Sequence, residues 1–190
     1  MNNISADKLR RCSDEALKAY GTAYIFEKRA SKLRQNLLFL SFFGIASPVS
    51  VGAIISTYSL DSATTEKILF IAGSIAIIQL LLTLWSFVSN WNNKLTYSIE
   101  SKASNYSLSL QFINLSYNTS ISAKRFDVEL KILDKETELR TSLDNQVDIT
   151  EKEKRMGMRY GLRKFQRACV GCNIVPIDMK LTSCGVCGKI

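Results

Sequence analysis

Two stretches of sequence decide the fold: LLFLSFFGIASPVSVGAIISTY at 37–58 and ILFIAGSIAIIQLLLTLWSFV at 68–88. They contain 22 and 21 residues without an Asp, Glu, Lys or Arg. A helix that rises about 1.5 Å per residue needs about 20 such residues to cross the hydrocarbon of a bilayer. The alternative, a pair of buried helices in a soluble core, is disfavoured because uncharged runs of this length are typical of spans. The nine-residue polar gap between them predicts a transmembrane hairpin.

Charges around the hairpin predict its orientation. A basic cluster precedes the first stretch, whereas the gap contains one Lys and two acids. The cluster consists of Lys28, Arg29, Lys32 and Arg34. Because cytoplasmic segments carry the excess of Lys and Arg, both termini are expected in the cytoplasm. The first apolar run begins only at residue 37, so we expect no amino-terminal signal peptide.

Small and weakly polar residues form one ridge on each predicted span. Their helical spacing lets another helix backbone approach closely. The ridges consist of Gly44, Pro48, Gly52 and Ser56 in the first stretch, and of Ala72, Ala76, Gln79, Thr83 and Ser86 in the second. One interpretation is helix packing within the hairpin or between copies, and the other is a pore that oligomerised hairpins line. Neither span has an ionisable residue in its core, which disfavours proton relay and strongly charge-selective conduction.

The flanking sequence predicts cytoplasmic helices. An amphipathic helix is expected in 1–36, because its apolar residues recur at helical spacing. No Gly or Pro occurs in 74–156, so long helices are expected through 89–149. A polar break is predicted at 114–122, followed by a helix over about 123–143.

Charge pairs at i,i+4 spacing are predicted on the exposed side of the helix over 123–143. The predicted pairs are Asp127 with Lys131 and Glu136 with Arg140. Such pairs stabilise a helix whose opposite side is apolar, so this helix is expected in an antiparallel hairpin or a coiled assembly element.

A basic helix is predicted in 150–168, where Thr150 and Glu153 have the spacing of a capping box. Four arginines recur at intervals of four on a ridge that we expect to be exposed: Arg155, Arg159, Arg163 and Arg167. The segment has seven cations and two acids, a net charge of +5 out of +8 for the chain. Such a ridge can neutralise the phosphates of nucleic acid, of a nucleotide or of anionic lipid. It can equally be a solvated helix face.

The carboxyl-terminal segment 169–190 contains the most specific motif, C-x2-C-x11-C-x2-C. Its members are Cys169, Cys172, Cys184 and Cys187. Two such pairs are typical of a structural Zn2+ site with four thiolate ligands, and the eleven residues between them suffice for the short hairpin of a zinc ribbon. We expect Asn173 and Gly188, which follow the two pairs, to take left-handed backbone conformations. Disulfides are disfavoured in a reducing cytoplasm, whereas a redox pair or an iron centre remains open.

Catalytic residues are not recognisable in this sequence. The chain has no His, hence no side chain that ordinarily titrates near neutral pH. It also has no Walker, Rossmann or hydrolase motif. We therefore do not expect an enzyme.

The predicted fold is an all-α membrane protein. A two-helix transmembrane hairpin occupies 37–88. Cytoplasmic helices are expected in 1–36, 89–149 and 150–168, and a small zinc ribbon in 169–190.

The amphipathic leader, the hairpin and the helical extension, about 5–143, resemble the SLATT group of two-transmembrane effectors in prokaryotic conflict systems. The tail CVGC-x11-CGVC resembles small bacterial proteins of mobile elements that are named for this cysteine spacing. The resemblance implies an antiphage effector that oligomerises and permeabilises the bacterial inner membrane, triggered by a cytoplasmic sensor protein or by a nucleotide or nucleic-acid signal. The alternative is a membrane-anchored binding module, in which the ribbon and the basic helix capture nucleic acid or a partner protein.

Overall fold

The computed structural model describes residues 4–57, 61–118 and 120–190, and within these ranges all regular structure is helical. The five helices are α1 (Ala6–Thr57), α2 (Ser62–Val88), α3 (Trp91–Tyr117), α4 (Ala123–Asp144) and α5 (Glu151–Lys164). The all-α prediction is therefore confirmed. Tyr58, in the first predicted span, and Thr119, in the predicted break, lie outside the described residues.

The chain divides into two compact units. One consists of Met1–Lys28 with Ser98–Ile190, and the other of Arg29–Tyr97. The amphipathic leader and the first apolar stretch belong to one continuous helix, α1, which contributes residues to both units.

The unit Arg29–Tyr97 contains the hairpin of α1 and α2. Both helices are long and apolar enough to cross a membrane, and their most apolar 18-residue windows have no buried residue. Large side chains such as Phe70 and Phe87 are exposed on several sides of the helices. Because exposure of apolar surface to water costs about 25 cal/mol per Å², this unit is compatible with membrane insertion.

The small residues of the hairpin divide into two sets. Gly44 lies against α2, since a Cβ placed on Gly44 would be 2.9 Å from Nε2 of Gln79. Ala72 and Gln79 are half-buried and Ser86 is buried. The remaining members of the two predicted ridges are exposed: Pro48, Gly52, Ser56, Ala76 and Thr83. The hydroxyl of Thr83 donates to the carbonyl oxygen of Gln79 at 2.9 Å, so its hydrogen-bonding capacity is already used within α2.

The unit Met1–Lys28 with Ser98–Ile190 is a helical bundle, and the largest fully buried side chains of the unit are Phe26, Phe112 and Phe126. The larger of the two apolar clusters among its described residues lies between three helices. The cluster joins α1, α3 and α4 and consists of Cys12, Ala16, Phe112, Leu115, Ile121, Phe126, Leu130 and Leu133. Burial of one such phenylalanine contributes about 1.5–3 kcal/mol to folding, so these contacts hold the three helices together.

Ion pairs between helices replace one of the predicted pairs within α4. Lys8 of α1 donates to Asp127 of α4 at 2.5 Å, and Arg11 lies 2.9 Å from Asp134. The prediction that Asp127 pairs with Lys131 is therefore wrong, because α1 packs alongside α4 and offers Asp127 a closer cation.

A buried polar network joins α3 to α4. The guanidinium of Arg140 donates to the carboxylate of Asp144 at 2.6 Å, and both side chains are buried. Ser101 and Asn105 of α3 each donate to the same carboxylate at 2.7 Å. The predicted exposed pair of Glu136 with Arg140 is wrong, because Arg140 lies on the face of α4 that packs against α3.

Backbone contact between α1 and α5 requires glycine. A Cβ on Gly21 would lie 2.7 Å from the carbonyl oxygen of Gly157, and one on Gly161 would lie 2.9 Å from that of Leu17. Glycine costs a helix about 1 kcal/mol relative to alanine, yet α5 is continuous through both positions. The predicted capping box of Thr150 is confirmed and stabilises the start of α5.

Gly157→Ala is expected to destabilise the unit despite the better helix propensity of alanine. The new Cβ would meet the carbonyl oxygen of Gly21 at 2.7 Å and Cδ1 of Ile25 at 2.8 Å. Overpacking of this kind costs about 1–3 kcal/mol, more than the propensity gain of about 1 kcal/mol. Urea denaturation of the purified protein measures the change. Gly73→Ala is the matched control, since a Cβ there has no neighbour within 4 Å, and equal stabilisation by both variants would contradict the close crossing.

Candidate metal centre

Four cysteine side chains converge after the end of α5. Their Sγ atoms all lie within 4.8 Å of one another. The Sγ atoms of Cys169 and Cys184 are 3.9 Å apart, and those of Cys172 and Cys187 are 3.8 Å apart. All are free thiols, since a disulfide requires about 2.05 Å. The structure thus brings the four predicted residues into one group that could hold a metal ion.

Each cysteine pair forms the same tight turn. The N–H two residues after Cys169 donates to its Sγ at 3.4 Å, and the N–H two residues after Cys184 does likewise at 3.4 Å. The N–H four residues after each of these cysteines donates to its carbonyl oxygen, at 2.8 and 3.0 Å. Backbone donors to sulfur favour the thiolate, which is the form that binds metal.

The backbone conformations after the two pairs differ from each other. Asn173 has φ 58°, so its predicted left-handed conformation is confirmed. The prediction for Gly188 is wrong, because the left-handed residue there is Lys189, with φ 50°. Gly188 is required by space instead: a Cβ would lie 2.2 Å from Oγ1 of Thr182 and 2.4 Å from its carbonyl oxygen.

The segment between the pairs is irregular. No strand is assigned in 173–183, all of which the structure describes, so the predicted ribbon hairpin is wrong. The N–H of Cys169 donates to the carbonyl oxygen of Ile174 at 3.0 Å, and that of Lys189 to Thr182 at 2.8 Å. These hydrogen bonds join only the ends of the segment to the cysteine turns. A β-hairpin needs backbone hydrogen bonds between its two strands along their whole length.

Arg159 connects α5 to the cysteine segment. Its side chain is only 6% exposed. Its Nε donates to the carbonyl oxygen of Asp178 at 2.8 Å, and one terminal nitrogen donates to the Asp178 carboxylate at 3.2 Å. The other terminal nitrogen donates to the carbonyl oxygen of Cys187 at 3.3 Å and lies 4.0 Å from its Sγ. Arg159 therefore binds both ends of the stretch from Asp178 to Cys187.

The four arginines of the predicted ridge do not form one exposed face. The prediction is wrong for Arg159, which is buried because the cysteine segment folds over it. Arg155 is half-buried, and Arg167 forms an ion pair with Asp14 of α1. Arg163 alone among the four is exposed. The structure therefore leaves little of the ridge available to an anion.

Two cysteines of the cluster, Cys184 and Cys187, have pKa values shifted in opposite directions. Backbone N–H groups of Cys187 and Val186 lower the pKa of Cys184 to about 6. Burial, together with hydrogen bonds to the neighbouring thiols, raises the pKa of Cys187 to about 12. Four thiolates this close repel one another in a partly buried site, so a bound cation is what allows all four to be deprotonated together.

Comparison with known families adds the decisive observation. A family model described as "Mobilome CxxCx(11)CxxC protein" matches residues 9–190. The chain belongs to this mobile-element family. The resemblance of the tail is thereby confirmed, and the match includes the helices as well as the cysteines. No curated protein and no solved structure matches the chain. The resemblance of the helical part to the SLATT group stays a prediction.

Sequence reasoning on this member of the mobilome CxxC family missed the role of Arg159. The partners of Arg159, Asp178 and Cys187, are 19 and 28 residues further along the chain. One signal was present: Asp178 is the only acid in 169–190, so a nearby arginine was a natural partner for it. The N–H of Lys180 and the guanidinium of Arg159 lower the pKa of Asp178, which keeps this carboxylate ionised.

Proposed function

We propose that this protein is a membrane effector of a bacterial antiphage or conflict system. Copies associate in the inner membrane with both termini in the cytoplasm, and a cytoplasmic trigger makes them permeabilise or perturb the bilayer. The observation that supports this is the outer surface of the hairpin. Large apolar side chains and the small residues Pro48, Gly52 and Ser56 are exposed there together.

The two kinds of exposed residue suit two kinds of neighbour. Apolar side chains such as Phe70 favour lipid, whereas small residues allow a second helix to approach closely. A Cβ on Gly52 would have no neighbour within 4 Å, so there is room for a helix from another copy. Without ionisable residues in 37–57 and 68–88, the resulting opening would be weakly selective.

We further propose that the four cysteines bind Zn2+. A tetrahedral ion with Zn–S bonds of about 2.3 Å has S–S edges of about 3.8 Å. Two of the six S–S separations are 3.8 and 3.9 Å, and all six are within 4.8 Å. When bound, Zn2+ with four thiolate ligands has no open coordination position and supplies folding energy instead of catalysis. Its role would be to fix the segment 169–190 on α5 through Arg159.

The second candidate function is a membrane-anchored binding module. Val170, Ile177 and Leu181 of the cysteine segment are exposed, which favours contact with a partner protein. Capture of nucleic acid by the basic helix has less support, because Arg159 is buried and Arg167 is paired.

Gly52→Leu is expected to lower membrane leakage without preventing insertion. The larger side chain would block close approach of a second copy, and a loss of about 1.4 kcal/mol of packing free energy lowers association about tenfold. Entry of a membrane-impermeant dye into bacteria, after induced expression and phage challenge, measures leakage. Gly73→Leu is the matched control, because Gly73 is also exposed and free of neighbours within 4 Å.

The same assay separates the two candidate functions. A binding module would cause no leakage, and Ile177→Asp would abolish capture of its partner. The effector would leak and would be insensitive to that substitution. Absence of leakage from correctly inserted protein under every challenge would contradict the effector proposal.

A further inference from the structure

Helix α4 has an apolar stripe on the side opposite its buried face. The buried face packs in the bundle through Phe126, Leu130 and Leu133. On the other side Val128, Ile132 and Leu139 are 51%, 48% and 66% exposed. A surface helix of a bundle needs one apolar stripe, so the second stripe is not explained by folding of this unit.

The spacing of the second stripe is that of a coiled-coil seam. Val128, Ile132, Lys135 and Leu139 follow in steps of four, three and four residues, which are the steps between core positions of a heptad repeat. Lys135 is a polar residue at a core position, and such residues reduce stability while fixing register.

Charged residues on the two sides of this stripe are complementary to those of a second copy. Lys124 and Lys131 lie on one side together with Glu138, and Glu129 and Glu136 lie on the other. Each lysine precedes a glutamate by five residues, which is the offset of residues that meet across a parallel two-stranded coiled coil. Antiparallel pairing would instead place the side with Glu129 and Glu136 of one copy against the same side of the other, where like charges repel. Glu129 also faces Arg125 at 3.7 Å, so the pair of Lys131 with Glu136 is the more informative one.

Space for a neighbouring helix exists beside the stripe. A groove of about 510 Å³ runs between α3 and α4. Its α3 side includes the small residues Ala103, Ser104 and Ser107, and its α4 side is formed by Glu136, Leu139, Arg140 and Leu143. The small residues on the α3 side leave room for a helix to approach closely.

We propose that the second stripe of α4 binds the same stripe of a second copy, in parallel. This inference deepens the proposed function and rests on it, because copies confined to one membrane have a high local concentration that compensates for a short seam. The partner is this chain itself, since mixed charges at matching offsets fit a copy better than they fit a uniformly acidic or basic protein.

Cysteine cross-linking of the full chain in its membrane tests the proposal. Position 132 of one copy lies opposite position 132 of the other in a parallel pair, so Ile132→Cys is expected to give a cross-linked dimer under mild oxidation. Thr141→Cys, which is exposed on a different side of α4, is the matched control and should give no dimer above the background of the native cysteines.

Charge exchange provides a second test in the Ile132→Cys background. Lys131→Glu places like charges opposite each other twice in the dimer and should lower the cross-linked fraction by about fivefold. Lys131→Glu combined with Glu136→Lys should restore it. Three results would each overturn the proposal. They are equal cross-linking at positions 132 and 141, an increase of the cross-linked fraction with Lys131→Glu, and a double exchange that does not restore the dimer. Leakage that persists without this dimer would contradict only the inference, whereas dimer without leakage under any challenge would contradict only the proposed function.

Discussion

Cys184→Ser is expected to abolish metal binding by the purified protein and to unfold the segment 169–190. Structural zinc sites contribute about 10–16 kcal/mol of apparent binding free energy, and the segment has no strand and little apolar core of its own. Removal of one thiolate leaves three ligands and an open position, so metal content should fall from about one ion per chain to nearly none. Elemental analysis measures the metal, and limited proteolysis measures the order of the segment.

The matched control for this prediction is Cys12→Ser. Cys12 is the fifth cysteine, buried in the apolar cluster of α1, α3 and α4. Its replacement should leave metal content unchanged even if it lowers the stability of the bundle. Retention of a full metal complement by Cys184→Ser, or iron in place of zinc in the natural protein, would contradict the proposed site. Chelation of the natural protein should reproduce the protease sensitivity of the variant.

Local sequence signals predicted the helices well. The uncharged runs at 37–58 and 68–88 predicted two apolar helices, and the polar break predicted at 114–122 contains the junction between α3 and α4. The capping box of Thr150 and the left-handed Asn173 depend only on nearby atoms, and both are confirmed. Such features can be predicted because backbone hydrogen bonds and steric limits act over a few residues.

Contacts between distant segments could not be predicted in the same way. Arg155, Arg159 and Arg163 do follow one another on α5, whereas Arg167 lies after the helix ends at Lys164. Arg159 is buried because the segment that follows α5 folds back onto it.

Arg140 had acids four residues away on both sides, Glu136 and Asp144, and sequence spacing treats the two alike. Arg140 pairs with Asp144 because the packing of α3 against α4 buries both of these side chains. Gly157 offered one usable signal, since small residues four apart on a helix often mark a close crossing.

Asp144→Ala is expected to cause a large loss of stability of the helical bundle. The change would leave the buried guanidinium of Arg140 without its closest carboxylate and would remove the acceptor of Ser101 and Asn105. Breaking a buried ion pair by removal of one partner costs about 3–5 kcal/mol, because the remaining charge stays desolvated. Glu100, whose exposed carboxylate lies 3.3 Å from Arg140, remains as a partner, so the loss is expected near the lower end of that range. Loss of that much is comparable to the whole stability of a small domain, so much of the protein should be unfolded at 37 °C.

Labelling of Cys12 by a thiol reagent in increasing urea measures this loss, with the labelled peptide identified by mass spectrometry. Cys12 is fully buried, and burial also raises the pKa of its thiol, so it reacts only when the bundle opens. The double replacement Glu151→Ala with Lys154→Ala removes an exposed ion pair of α5, outside the proposed dimer seam, and should lower stability only slightly. Asp144→Asn keeps the hydrogen-bond acceptor without the charge. Its stability should lie between that of Asp144→Ala and that of the double replacement. If Asp144→Ala were as stable as the exposed double replacement, the buried polar network would contribute no net stability to the bundle.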